Sequence, residues 1–83
     1  MSPEQVKNLR AKLNLTQAEL ANALGLARLT ISQYEIGFRQ PMRTALIMLR
    51  VLESISKSRA LEMVALLRLH ADAATSKPKR GRA

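Results

Sequence analysis

The stretch that most limits how this chain can fold is residues 15–41, LTQAELANALGLARLTISQYEIGFRQP. Thr16-Gln17-Ala18-Glu19 is a capping box, in which the Thr16 hydroxyl accepts from the Glu19 amide and the Glu19 carboxylate accepts from the Thr16 amide. It starts a helix whose inner face is Leu20, Ala21 and Leu24. Gly25 stands where a left-handed residue ends that helix. A second short helix over Arg28–Glu35 turns Ile31 inward, with Leu26 packed just before it. The loop Ile36-Gly37-Phe38-Arg39-Gln40 and Pro41 close the unit. Two amphipathic helices joined by one glycine fix an interhelical angle through Leu20, Leu24, Leu26 and Ile31. Ala21 is small where the two helices cross.

The flanks read as helices too. Ser2 caps a first helix with Pro3 as its first residue, Val6, Leu9 and Leu13 as its apolar face, and Asn14 as its stop. Pro41 opens a fourth helix, Met42–Ser54, which is apolar apart from Arg43, Arg50 and Glu53. A Ser-rich break at residues 54–58 precedes a fifth helix, roughly Arg59–Ala73. Three glycines, little alternation and abundant Leu and Ala give an all-α chain. Residues 1–73 are expected to form one domain for binding and dimerisation. Residues 74–83 are expected to be a basic tail, disordered on its own.

Eighty-three residues allow one small core, and chains of this size usually need a disulfide, a metal or a partner subunit. There is no cysteine and only one histidine, so a disulfide and a thiolate or imidazole zinc site are excluded. A second copy of the chain is the remaining help. The net charge of +8 points to a polyanionic partner. Lys77, Lys79, Arg80 and Arg82 supply half of that excess. No apolar run is long enough to span a membrane, and the N-terminus lacks the order of a signal peptide. These features point to a cytoplasmic protein associated with the nucleoid.

Residues 15–41 resemble the Cro/lambda-repressor type of helix-turn-helix, the XRE family. The matching residues are Thr16-Gln17, Ala21, Gly25, Ile31, Tyr34-Glu35-x-Gly37 and Pro41, and the likeness extends over about residues 3–55. It implies a five-helix, lambda-repressor-like DNA-binding domain with the helix-turn-helix at helices 2 and 3. Carried over residue by residue, it implies base contacts in the major groove by Arg28, Leu29 and Gln33, with Ser32 reaching base or phosphate. Arginine donates two bonds to guanine, glutamine pairs with adenine, and an apolar side chain packs on a thymine methyl. A solvated Arg28, an inert Gln33 and a core Leu29 are the alternatives.

Gln17, at the positive end of helix 2, is expected on a phosphate. Thr30 is expected on a phosphate or as a partly buried support. The resemblance places Arg39, Gln40, Arg43 and Thr44 beside the phosphate backbone. It also pairs Arg10 of helix 1 with Glu35 under the recognition helix. Ala27 departs from the family, which often has Ser or Thr there to cap helix 3.

Helices 4 and 5 carry more apolar residues than a small monomer can hide. The surplus on helix 5 is assigned to a two-fold dimer interface at Leu61, Val64 and Leu67. The tail either lies along DNA or is a solvated end. No Gly-rich phosphate loop, catalytic set, metal constellation or small-molecule site is evident, and no cofactor or enzymatic activity is expected. The expected function is a dimeric repressor occupying an inverted-repeat operator on double-stranded DNA. The alternatives are an antitoxin that also binds a toxin protein, and a protein- or RNA-interaction module reusing the fold.

Overall fold

Five helices and no strand make up the computed structural model, which describes residues 1–76. They are α1 (Pro3–Lys12), α2 (Gln17–Leu24), α3 (Arg28–Glu35), α4 (Arg43–Ser54) and α5 (Lys57–Ser76). The first two start at capping boxes. The Ser2 hydroxyl accepts from the Gln5 amide at 3.1 Å, and the Thr16 hydroxyl accepts from the Glu19 amide at 3.1 Å. In each box the side chain three residues on returns a 2.9 Å bond to the cap's own amide. Gly25 ends α2 at φ +72°, a conformation that costs a side-chain-bearing residue about 1–2 kcal/mol. Its amide bonds back to Ala21 and Asn22, and Leu26 N–H donates to the Ala21 carbonyl at 2.8 Å. The turn into α3 is therefore fixed by backbone bonds.

The core is continuous across all five helices. Val6, Leu9 and Leu13 meet Leu20, Ala21, Ala23, Ile31 and Tyr34, and Ala45, Leu49, Leu52, Ala60 and Val64 complete it. Alanines 21, 23, 45 and 60 are buried, so helices approach closely where they cross. α2 packs chiefly on α3 and α5, which puts it between the recognition helix and the long C-terminal helix. A polar seam runs beside that second contact. Arg68 lies 3.6 Å from Glu19 and donates to the side-chain Oδ1 of Asn22, and the Asn22 Nδ2 in turn donates to Asp72 at 3.2 Å.

Three boundaries differ from expectation. α4 does not begin at Pro41 or Met42. Met42 is extended at the cap position, and the helix starts at Arg43. α5 begins at Lys57 rather than Arg59, because the Ser56 hydroxyl accepts from the Arg59 amide and so caps the first turn. It also continues through Ser76, beyond the expected domain end at residue 73. The tail cations Lys77, Lys79, Arg80 and Arg82 lie outside the described residues.

Candidate nucleic-acid interface

α3 divides its residues cleanly between two sides. Ile31, Tyr34 and Glu35 are buried, whereas Arg28 and Leu29 are exposed. Ser32, Gln33 and Thr30 are half-buried. Leu29 is 61% exposed, which removes the core alternative for it. The outward side of α3 therefore presents Arg28 and Leu29 in its first turn and Ser32 and Gln33 one turn later. Ala27 gives the helix no side-chain cap, so the first amides of α3 have no side-chain acceptor there.

Beneath this side lies a chain of polar side chains. Arg10 Nε donates to Glu35 Oε2 at 2.6 Å and Arg10 NH2 to Glu35 Oε1 at 3.1 Å, a two-pronged pair between α1 and α3. The third nitrogen, Arg10 NH1, donates to the Leu15 carbonyl at 3.0 Å and ties down the α1–α2 loop. The Glu35 side chain is 3% exposed and that of Arg10 24%. Burial pushes the Glu35 carboxyl up. The hydrogen bonds from Arg10 and Gln17 and the charges of Arg10 and Lys7 outweigh burial and hold it below its ordinary value. The bond to Glu35 raises the Arg10 guanidinium further above its own.

Gln17 extends the chain. Its Nε2 donates to Glu35 Oε1 at 3.1 Å, and its Oε1 accepts from Arg28 NH1 at 3.1 Å. Sequence reasoning missed this link. Gln17 opens α2 and Arg28 opens α3, and only the turn at Gly25 brings the two helix starts together.

The loop after α3 is held to that helix. The Gln33 carbonyl accepts from the amides of both Phe38 and Arg39, and Gly37 N–H donates to the Tyr34 carbonyl. Gly37 has φ +81°, which favours glycine, and a Cβ there would sit tightly, 3.3 Å from the Pro3 side chain. Arg39, Gln40, Arg43 and Thr44 are all exposed, and α4 starts without a side-chain cap. Three apolar residues of this segment are exposed as well: Ile36 at 73%, Phe38 at 75% and Met42 at 63%. A search for polar contact residues passes over them. The available signal is a lone phenylalanine between Gly37 and Arg39 in a basic loop.

A family model described as helix-turn-helix matches residues 6–57, more than half of the chain. The chain belongs to the XRE-type helix-turn-helix family. It is a DNA-binding regulator of that type, with a lambda-repressor-like all-α fold and double-stranded DNA as its partner. No curated protein and no solved structure shows a significant match.

The matched segment stops at the first residue of α5, and that helix departs from expectation. Val64 is 3% exposed and belongs to the core, which removes it from the expected dimer interface, while Leu67 is partly buried against that core. α5 lays its Ala60–Val64–Leu67 stripe on the rest of the domain, and this leaves Leu61, Leu66 and Leu69 at 39, 58 and 62% exposure. A shallow groove of about 330 Å³ lies between α4 and α5, lined by Val51, Ile55, Met63 and Leu66 with Arg59 and Glu62. Among the described residues, no group of His, Cys, Asp or Glu could hold a metal ion, and no helix is long and apolar enough to cross a membrane.

Proposed function

We propose that this helix-turn-helix protein is a dimeric transcriptional repressor that occupies an inverted-repeat operator. The observation that carries the reading is the outward side of α3, where Arg28 and Leu29 stand exposed above a buried ion pair. Arg28 donates to a guanine edge, Leu29 packs on a thymine methyl, and Gln33 and Ser32 read one turn further along the groove. Arg39, Gln40, Arg43 and Thr44, with Thr30, lie along the phosphates. The uncapped starts of α3 and α4 add backbone amides to those contacts. No residue is assigned a catalytic role.

The partner copy docks on the α4–α5 side, through Leu61, Leu66, Leu69 and the groove beside them. Arg59 and Glu62 at the groove are of opposite sign, which suits two-fold pairing of Arg59 of one copy with Glu62 of the other. In the antitoxin reading the same face receives a toxin. The two half-sites then lie about 34 Å apart, or a multiple of that.

Selection of bound duplexes from random DNA at stated salt tests this function. A dyad-symmetric motif is the expected result. Enrichment of an undivided single site counts against the dimer, and no enrichment defeats sequence-specific binding.

A further inference from the structure

Phe38 is the only phenylalanine in the chain, and it stands 75% exposed in a loop that carries a cation and no acid. Ile36 and Met42 of the same segment are exposed at 73 and 63%. Large apolar side chains gathered in water mark a surface that something covers. Two observations say what covers this one. Between Glu35 and Glu53 the sequence has Arg39, Arg43 and Arg50 and no carboxylate, so the surroundings of Phe38 favour a polyanion. The loop is also continuous with the reading helix. The Gln33 carbonyl accepts from the amides of Phe38 at 2.9 Å and Arg39 at 3.3 Å, so both residues are anchored beside a residue of the reading side.

We propose that Phe38 is a DNA contact that seats its ring on the C2′ methylene of a deoxyribose beside the base pair read by Gln33. On deoxyribose, C1′, C3′, C4′ and C5′ each carry nitrogen or oxygen, and C2′ alone is a plain methylene. It is the part of the backbone that an apolar ring covers without stripping water from a polar atom. Arg39, one residue on, takes the adjoining phosphate, so the loop grips the backbone by its charge and by its apolar carbon. The ring needs little ordering on binding, because the two bonds to Gln33 and the left-handed Gly37 fix the loop backbone. An apolar contact releases no counterion, so it persists as salt rises and the Arg39 contact weakens. It also favours DNA over RNA, because a ribose 2′-hydroxyl would be covered by the ring and left without a partner. The proposal rests on the placement of Gln33 in the major groove and of Arg39 on a phosphate.

A ribonucleotide scan with the intact chain tests it. The duplex is one selected from a random pool by the unmodified protein, with a single ribonucleotide placed at each position in turn. Wild type, F38A and R39A are compared on these duplexes over a series of salt concentrations. F38A should weaken binding to the all-DNA duplex about tenfold, evenly across single-base variants and with an unchanged salt slope. Wild type should lose about fivefold at one ribonucleotide position in each half-site, and F38A should lose nothing there. R39A should keep that loss and reduce the salt slope by about one.

An F38A protein that binds as wild type does overturns the proposal. A wild type indifferent to every ribonucleotide overturns it too, as does a loss that F38A retains in full. If F38A turns a dimer into a monomer by light scattering, Phe38 faces a second copy of the chain and the proposal fails. An R39A protein with unchanged affinity and salt slope removes instead the placement of the loop on which the proposal rests. Thermal melts check folding, and F38A should melt with wild type because the ring is exposed. F38Q replaces it if that variant melts early.

Discussion

The reading side of the molecule and its α4–α5 side are held by different kinds of force. Around α3, directed bonds dominate: Arg10 to Glu35, Gln17 to Glu35, and Arg28 to Gln17, each with a defined donor and acceptor. Along α4 and α5, apolar contact dominates, and Ile47, Leu66 and Leu69 remain more than half exposed. Hydrogen bonds fix direction, which a base-reading side chain needs to within a fraction of an ångström. Apolar surface has no direction and is suited to area, which a protein partner needs. α5 joins the two sides, since Arg68 and Asp72 tie it to Glu19 and Asn22 of α2. A partner bound on the outside of α5 is one helix away from the helix-turn-helix.

The largest expected effect breaks the directed side. Arg10→Met leaves the Glu35 carboxylate buried with one amide for a partner, and should cost about 3 kcal/mol of stability. That figure is at the low end for a buried pair because Arg10 keeps some solvent contact. Replacing Arg10 and Glu35 together with methionine should recover most of the loss in thermal melts. Failure to recover any of it would mean that the pair does not hold α3.

Acid sharpens the same point. The folded Glu35 carboxyl lies below its ordinary value of 4.5. Its stabilising contribution is therefore complete above pH 4.5 and declines as pH falls through the lower folded value. The double-methionine protein should lack that part of the acid decline.

The next effect separates the two faces of α5. Val64→Ala should cost about 2 kcal/mol at any protein concentration, because Val64 is core. Leu66→Asp with Leu69→Asp should change the stability of the fold by about 0.5 kcal/mol or less at each site. The same pair should convert a dimer to a monomer by light scattering at micromolar concentration. A destabilised Leu69→Asp protein beside an unaffected Val64→Ala protein would invert the assignment of inside and outside.

What the sequence made legible follows the same division. The caps at Ser2 and Thr16, the glycine turn and the inward Ile31 obey rules spanning three or four residues, so α1 to α3 could be read locally. α5 could not. Leu61, Met63, Val64, Leu66, Leu67 and Leu69 cover every side of it, and periodicity does not say which stripe faces in. Tertiary packing decides: Ala60 and Val64 enter the core, and α5 packs chiefly on α2. The Ser-rich break at residues 54–58 did not mark where α5 starts, which the bond from the Arg59 amide to the Ser56 hydroxyl decides. The Arg10–Glu35 pair was legible by family resemblance. The Gln17–Arg28 bond and the Asn22–Asp72 bond arise from tertiary placement, and no local pattern announces them.

The central claim is a division of labour, in which Arg28 reads a base and Arg39 holds a phosphate. The direct measurement is the affinity of Arg28→Ala and Arg39→Ala proteins for the selected duplex and all its single-base variants, at several salt concentrations. Arg28→Ala should cost about 1–3 kcal/mol and erase preference at one base pair only. Arg39→Ala should weaken binding evenly across sequences and reduce the salt slope by about one. A uniform loss from Arg28→Ala, with preference intact at every position, would contradict the account.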